Sequence, residues 1–456
     1  MSRHRMRAAD AAWLRMDRPT NLMIVTSAMW FDEPLDPDEL RNLIAERMVD
    51  RFPRFSQRVV EDHGLFWEDV ANFDLDRHLH PVQLREPAGK AELEAFTSSL
   101  VSVPLSRTRP LWDLYLVENY AAGYALVFRM HHAIADGIAL ARLLLTLTDD
   151  PDVEPTQVAD LVDENTPSML SAGITAGLDV LRHPMRLAAA VQPRQLLDLA
   201  HTAIADAAAL AKLTLMPNDQ KTALRGEVGV SKRALWSEPI ALDQVRAAGH
   251  EAGATVNDLL LTAVSGALRR HLVRRRSEVH EVRAIVPFNL RPLDVPLPAE
   301  LGNMFGLVYL PLPLTTPRRE DRLAAMRERT TAIKESAEGA VAYGILELVG
   351  MAPPAVENIA IDVFAAKGTG VMTNVPGPHH PVYLTGRPLR GTMGGGPTSG
   401  NLGLGVALFS YAGTVTIGLC VDTGLVPDPE SLLDDIVDEL DELVRVHTPV
   451  AVESPR

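Results

Sequence analysis

Residues 124–147 read YALVFRMHHAIADGIALARLLLTL. Residues 124–131 have the composition of a strand, and with residues 112–118 they form an expected antiparallel pair joined around Gly123. The chain after Gly137 is rich in Ala and Leu with no breaker, so a helix is expected to start there, with Asp136 near its N-terminus. His131 and His132 therefore sit where a strand hands over to a helix. Adjacent side chains of an extended chain point to opposite faces, so only one of the two histidines can look into a given cleft. Gly137 is expected to permit a tight backbone turn at the junction.

A histidine held neutral, in one tautomer, beside a substrate hydroxyl is a general base. His132 is placed for that role. A structural histidine pair and a metal site built from His131, His132 and Asp136 are the competing readings of the same residues. Metal binding ranks lower, because the two side chains diverge and no His-Glu-x-x-His helix is present. His379-His380 lies in a Pro-rich segment without a following Asp-Gly and reads as a surface loop. There is no Gly-x-Ser-x-Gly nucleophile elbow, and Gly394-Gly395-Gly396 lacks the lysine of a phosphate loop.

Outward from this segment, strand-like and helix-like patterns alternate, which predicts an α/β (α+β layered) fold with mixed sheets. At 456 residues, two domains are expected. Residues 1–155 form the first unit and carry a strand at 22–31 and a helix at 36–51. Residues 156–229 are Ala- and Leu-rich amphipathic helix broken by Pro167, Pro184, Pro193 and Pro217, and read as a connection whose apolar faces pack on the protein or touch lipid. Residues 230–456 hold strands at 231–236, 282–287, 307–312 and 371–375. The same unit holds helices at 256–274, capped by Thr255, at 318–338 and at 430–446. Arg274-Arg275-Arg276 suits the C-terminal dipole of its helix, or a contact with phosphate groups.

A net charge of −15 and the lack of a basic stripe with aromatics exclude a nucleic-acid partner. The single cysteine, Cys420, excludes an internal disulfide and a Cys-based zinc cluster and reads as a small buried hydrophobe. Arg3, Arg5 and Arg7 are followed by Asp10, Arg15, Asp17 and Arg18 where a signal peptide needs an apolar run, so secretion by that route is not expected. Residues 402–421 are uncharged and long enough to span a bilayer. Their glycines, threonines and Ala412-Gly413 favour a β-hairpin instead.

The pattern His131-His132-x-x-x-Asp136-Gly137 resembles the active-site motif of the chloramphenicol acetyltransferase-like superfamily, which includes peptide-synthetase condensation domains. Pro110-Leu111-Trp112, Asn257-Asp258-Leu259-Leu260-Leu261, Leu301-Gly302-Asn303 and Asn374-Val375-Pro376-Gly377-Pro378 resemble, in order and across nearly the whole chain, segments of the bacterial wax ester synthase/acyl-CoA:diacylglycerol acyltransferase family. Asp10, Trp13 and Leu14 fit as well. Pro19-Thr20-Asn21-Leu22-Met23 departs from the family, many of whose members carry Pro-Met-His there.

The resemblance implies two chloramphenicol acetyltransferase-like domains with a channel between them. It also implies transfer of a long-chain acyl group from acyl-CoA, a co-substrate rather than a bound cofactor, to diacylglycerol or a fatty alcohol. His132 would be the base, with His131, Asp136 and Gly137 placing it. Arg291 would pair with Asp136, and Asn257 and Asp258 would give structural support. Thr373, Asn374, Ser410 and Asn257 are the candidates for the oxyanion donor or cleft, although Asn257 also reads as a helix cap. The rival readings are a carrier-protein-dependent condensation-type acyltransferase and a non-catalytic protein coating lipid droplets. No metal is expected. A cytoplasmic protein with a peripheral contact to the inner membrane or lipid droplets follows from the insoluble substrates.

Overall fold

The computed structural model describes residues 2–149, 211–291, 297–336, 338–352, 354–398 and 400–447. Most of the helical connection expected at 156–229, with Pro167, Pro184 and Pro193, lies outside the described residues. The first half contains β1 (Arg3–Arg5), α1 (Ala8–Arg15), β2 (Ile24–Phe31), α2 (Pro37–Ile44), β3 (Gln57–Glu61), β4 (Leu65–Asp69), β5 (Leu79–Val82), α3 (Lys90–Val101), β6 (Trp112–Tyr120), β7 (Gly123–His131) and α4 (Gly137–Thr146). The second half begins with β8 (Lys232–Trp236), β9 (Ile240–Ala241), α5 (Leu242–Ala252), α6 (Val256–Arg274), β10 (Val282–Asn289), β11 (Phe305–Leu312), α7 (Arg319–Lys334), α8 (Glu338–Met351) and α9 (Pro354–Ala365). It ends with β12 (Gly370–Pro376), β13 (Tyr383–Leu384), β14 (Arg387–Pro388), β15 (Gly391–Gly395), β16 (Leu404–Tyr411), β17 (Thr414–Asp422) and α10 (Pro429–His447).

Two mixed sheets organise these elements. The first runs β15-β2-β7-β6-β5, with Ile24 opposite His131 across the antiparallel β2/β7 ladder and a parallel β5/β6 edge. Strand alternation divides its side chains. Leu126, Phe128 and Met130 of β7 join Trp13 of α1, Leu40 of α2 and Leu143 of α4 in one core. Ala125 and Val127 face the opposite way, toward Leu93 and Leu100 of α3.

The second sheet runs β11-β10-β12-β16-β17-β8, with β9 paired to β17. It is covered by Val245 of α5, Leu260 of α6, Met326 of α7 and Ile436 of α10. Two of the joins between the halves run through the first sheet and α3. β15 leaves the second half and adds to β2, Gly391 opposite Trp30, where any side chain would run into the indole of Trp30. Ala234 and Trp236 of β8 pack under α3 with Met393.

Several expectations change in detail. The helix expected at 318–338 is α7, which ends at Lys334, and the Ser336 hydroxyl accepts from the Glu338 N–H at the start of a separate α8. The helix expected at 36–51 is α2 followed by wider turns of π-helix over Ala45–Val49. Gly123 is the first residue of β7 rather than the turn; its missing side chain admits the backbone of Phe31 and Asp32. The uncharged stretch 402–421 is the β16/β17 hairpin, turning at Ala412 and Gly413 with φ of 46° and 81°. Two left-handed residues in a row are what a right-handed twisted hairpin needs. Among the described residues no helix is long and apolar enough to cross a membrane.

Candidate active site

His132 follows the last residue of β7, and its backbone N–H donates to Met23 O at 2.7 Å. Trp13 stacks on the imidazole with centroids 4.3 Å apart and planes 19° from parallel. Phe305 closes a second side at 5.5 Å. Nδ1 lies 2.9 Å from Asn303 Oδ1. Burial between these rings pushes the His132 pKa down to about 4, against the pull of Asp136 and Asn303, so the ring is neutral at physiological pH.

Asn303 is itself fixed. Its Nδ2 donates to His132 O and to Asp10 Oδ1, each at 2.8 Å, and its backbone N–H donates to the same Asp10 oxygen at 2.9 Å. Asp10 and Trp13 are three residues apart on α1, hence on one face of that helix. Burial pushes the Asp10 carboxyl up to about 6, although the Asn303 hydrogen bonds and Arg7 oppose the shift.

His131 turns the other way. Its Nε2 lies 3.1 Å from Asp17 Oδ2, and its Nδ1 accepts from Ala133 N–H at 3.0 Å. Desolvation works to raise the Asp17 carboxyl, but the hydrogen bond and charge of His131 hold it below the usual range. His131 thus anchors the loop, while His132 faces Trp13, Phe305 and Asn303.

Asp136 caps α4, its Oδ1 accepting from Ala139 N–H at 2.7 Å. Its Oδ2 accepts from Met304 N–H at 2.9 Å and from Arg291 Nη2 at 3.1 Å. Arg291 also donates to Gly302 O at 2.7 Å, while Gly302 N–H donates to Ile134 O at 2.9 Å. Residues 302–304 of the second half therefore grip the histidine loop of the first. Gly302 has φ of 100°, a left-handed conformation that calls for glycine, and a Cβ there would displace the tip of Arg7.

Gly137 needs correction. Its φ is not in the left-handed region, and it opens α4 as an ordinary helical residue. A Cβ at this position would make an ordinary contact with Val375 Cγ2 at 3.9 Å, so neither backbone conformation nor space requires glycine here. Further along α4 lies an apolar pocket lined by Met29, Phe128, Ala141, Leu144, Pro376 and Phe409.

Thr255, not Asn257, caps α6. Asn257 Oδ1 instead accepts from Asn374 Nδ2 at 3.2 Å. Asp258 completes a capping box with Thr255 and accepts from Thr330 Oγ1 at 2.6 Å, tying α6 to α7. Thr373 and Asn374 lie near the end of β12, and Pro376 pairs with Ser410 of β16. Among the described residues the imidazole is hydrogen-bonded to Asn303 and packed on Trp13 and Phe305, with no hydrogen bond to Asn257, Thr373, Asn374 or Ser410. Arg274 pairs with Asp435 of α10. Burial pushes the Cys420 thiol up to about 11. No group of three or more His, Cys, Asp or Glu side chains among the described residues is arranged to hold a metal.

A family model described as the wax ester synthase/diacylglycerol acyltransferase catalytic domain matches residues 6–260, and one described as the WS/DGAT C-terminal domain matches residues 301–444. The chain belongs to the wax ester synthase/diacylglycerol acyltransferase family. A putative diacylglycerol O-acyltransferase of Mycobacterium tuberculosis is 26% identical over 424 residues, covering 90% of this chain and 88% of that one. The O-acyltransferase WSD of Acinetobacter baylyi is 24% identical over 442 residues, covering 94% and 95%. The wax ester synthase/diacylglycerol acyltransferase of Marinobacter aquaeolei superposes with a TM-score of 0.66 at 20% identity, covering 97% of this chain and all of that one. The first condensation domain of the calcium-dependent antibiotic synthetase gives 0.63 at 15% identity, covering 99% and 98%. The chain as a whole thus shares the fold of these structures, two chloramphenicol acetyltransferase-like domains.

The residues around the two histidines that the motif alone does not announce are Asp10, Trp13, Asn303 and Phe305 on the side of His132 and Asp17 on that of His131. Asp10, Trp13 and Asp17 are spaced three and four residues apart in the sequence, a helical-face signal beside a charged N-terminus. Asn303 stands in the family segment Leu301-Gly302-Asn303, to which the sequence attached no role.

Proposed function

We propose that this family member transfers a long-chain acyl group from acyl-CoA to the hydroxyl of diacylglycerol or a fatty alcohol, with His132 as general base. The observation that carries the reading is a neutral, buried imidazole held by Asn303 and Trp13 at the contact between the two domains. The imidazole takes the hydroxyl proton as the alcohol oxygen bonds to the thioester carbonyl carbon. The tetrahedral oxyanion then collapses, the C–S bond breaks, and the imidazolium returns the proton to the departing thiolate, leaving an ester and free CoA. No covalent enzyme intermediate is involved, and holding the two substrates together supplies much of the rate. The oxyanion is assigned to donors among Thr373, Asn374 and Ser410, with Asn257 behind Asn374.

The apolar pocket beside α4 is assigned to a hydrocarbon chain. Its walls offer Met, Phe and Leu side chains, and burying apolar surface there stabilises a bound chain by about 0.8 kcal/mol per methylene. Both lipid substrates partition into membranes or droplets, so the protein is assigned a peripheral contact with such a surface. The test is ester formation from palmitoyl-CoA with dioleoylglycerol or hexadecanol, by the unaltered protein and by His132→Ala. Ester formed equally by both ends the proposal. Turnover confined to acyl groups on a carrier protein replaces it with a condensation-type activity.

A further inference from the structure

We infer that Asn303, held by Asp10, is the positioning residue that keeps the His132 proton on Nδ1 and the reactive lone pair on Nε2. The inference rests on His132 being the base and concerns what sets its tautomer. The Asn303 amide has one orientation that satisfies its surroundings, because its nitrogen donates to both His132 O and Asp10 Oδ1. Turning the amide over would place its oxygen against those two oxygens and lose both bonds. Oδ1 therefore faces the ring, an acceptor only. The nitrogen 2.9 Å away must carry the hydrogen, which leaves Nε2 unprotonated.

Asp10 secures this arrangement from the far side. One oxygen takes both the backbone and the side-chain N–H of Asn303, and Asp10 is 1% exposed, so water does not compete. The same helix face delivers Trp13 onto the ring. The charges around the pair are Arg7 and Arg54 toward Asp10, and Asp136 and His131 toward His132. An amide next to the imidazole differs in kind from a carboxylate. It orients the ring while adding no negative charge to hold an imidazolium, so the base stays deprotonated and ready.

The inference predicts a measurable tautomer. In protein labelled with 15N-histidine, the His132 resonances, assigned by difference from His132→Ala, should show Nδ1 protonated and Nε2 bare near neutral pH. Asn303→Ala should lower kcat about 100-fold, the scale of a displaced catalytic group, with KM for acyl-CoA within about twofold. The exchange pair Asp10→Asn with Asn303→Asp keeps an amide hydrogen-bonded to a carboxylate but brings the charge to the ring. It should raise the acid limb of kcat/KM by at least about one pH unit, the change expected of a new neighbouring carboxylate.

A bare Nδ1, an unchanged kcat in a folded Asn303→Ala protein, or an acid limb unmoved by the exchange pair each overturns the inference. Should Asn303→Ala fail to fold, the 15N spectrum of the unaltered protein still decides the matter. Ester formation surviving His132→Ala is a different failure, that of the base assignment itself.

Discussion

Arg291 Nη2 lies 3.1 Å from Asp136 Oδ2, joining the two halves of the molecule directly behind the histidine loop. Both side chains are nearly buried, at 8% and 3% exposure. Removing one partner strands the other charge without solvent, a loss of about 3–5 kcal/mol. Arg291→Met should therefore lower the urea midpoint by that equivalent and reduce activity further, because Gly302 O and the loop over Ile134 lose their shared anchor. A midpoint close to that of the unaltered protein would mean that the pair does not hold the halves together.

His132 and Asp10 give opposite pH dependences of stability. The His132 pKa falls from 6.5 unfolded to about 4 folded, so between those values the unfolded chain binds more protons and stability rises with pH. The Asp10 pKa climbs from 3.8 to about 6, so the folded chain binds more protons and stability falls with pH over nearly the same window. The two contributions oppose one another between pH 4 and 6. Asp10→Asn removes only the second, and chemical denaturation at pH 4.5 and 5.5 should then show stability rising more steeply with pH, by up to about 1.4 kcal/mol per unit. Identical slopes in the two proteins would contradict the burial of Asp10.

The layered fold and the strand-to-helix junction were legible because local chemistry sets them. Apolar alternation builds β7, and the carboxylate of Asp136 begins α4. Arg291 was legible through resemblance. The surroundings of His132 were not, because Asp10, Trp13 and Asn303 reach it from chain positions about 120 and 170 residues away, and only packing brings such positions together. Gly137 misled for a local reason: a glycine before a helix suggests a turn, whereas here it is an ordinary first residue of α4. Nor does periodicity reveal that β15 crosses into the first sheet, since a five-residue strand pairs equally well with either edge on local grounds.

The pocket along α4 makes a claim about chain length. Ala141, Leu144 and Thr148 line it from the helix and its extension, a span of about 10 Å at helical rise. Ala141→Phe places a ring in this pocket. Relative kcat/KM for a 16-carbon over an 8-carbon acyl-CoA should fall at least about tenfold, the equivalent of two methylenes losing their contacts. An unchanged chain-length profile would place the acyl chain elsewhere.

Asp258 tests the opposite kind of role, stability without chemistry. Its Oδ2 accepts from the Thr255 N–H and hydroxyl at 2.9 and 2.8 Å, and its Oδ1 accepts from Thr330 at 2.6 Å. Asp258→Ala removes the capping box of α6 and leaves the Thr330 hydroxyl, itself nearly buried, without that acceptor, a combined loss of about 2–3 kcal/mol. Asp258→Asn retains an acceptor for Thr330 and should recover part of it. Thermal melts should rank the unaltered protein above Asp258→Asn and that above Asp258→Ala, with specific activity of the folded protein unchanged at low temperature. A large loss of kcat in a protein that still melts cooperatively would instead draw the start of α6, and Asn257 with it, into the positioning of the reacting groups.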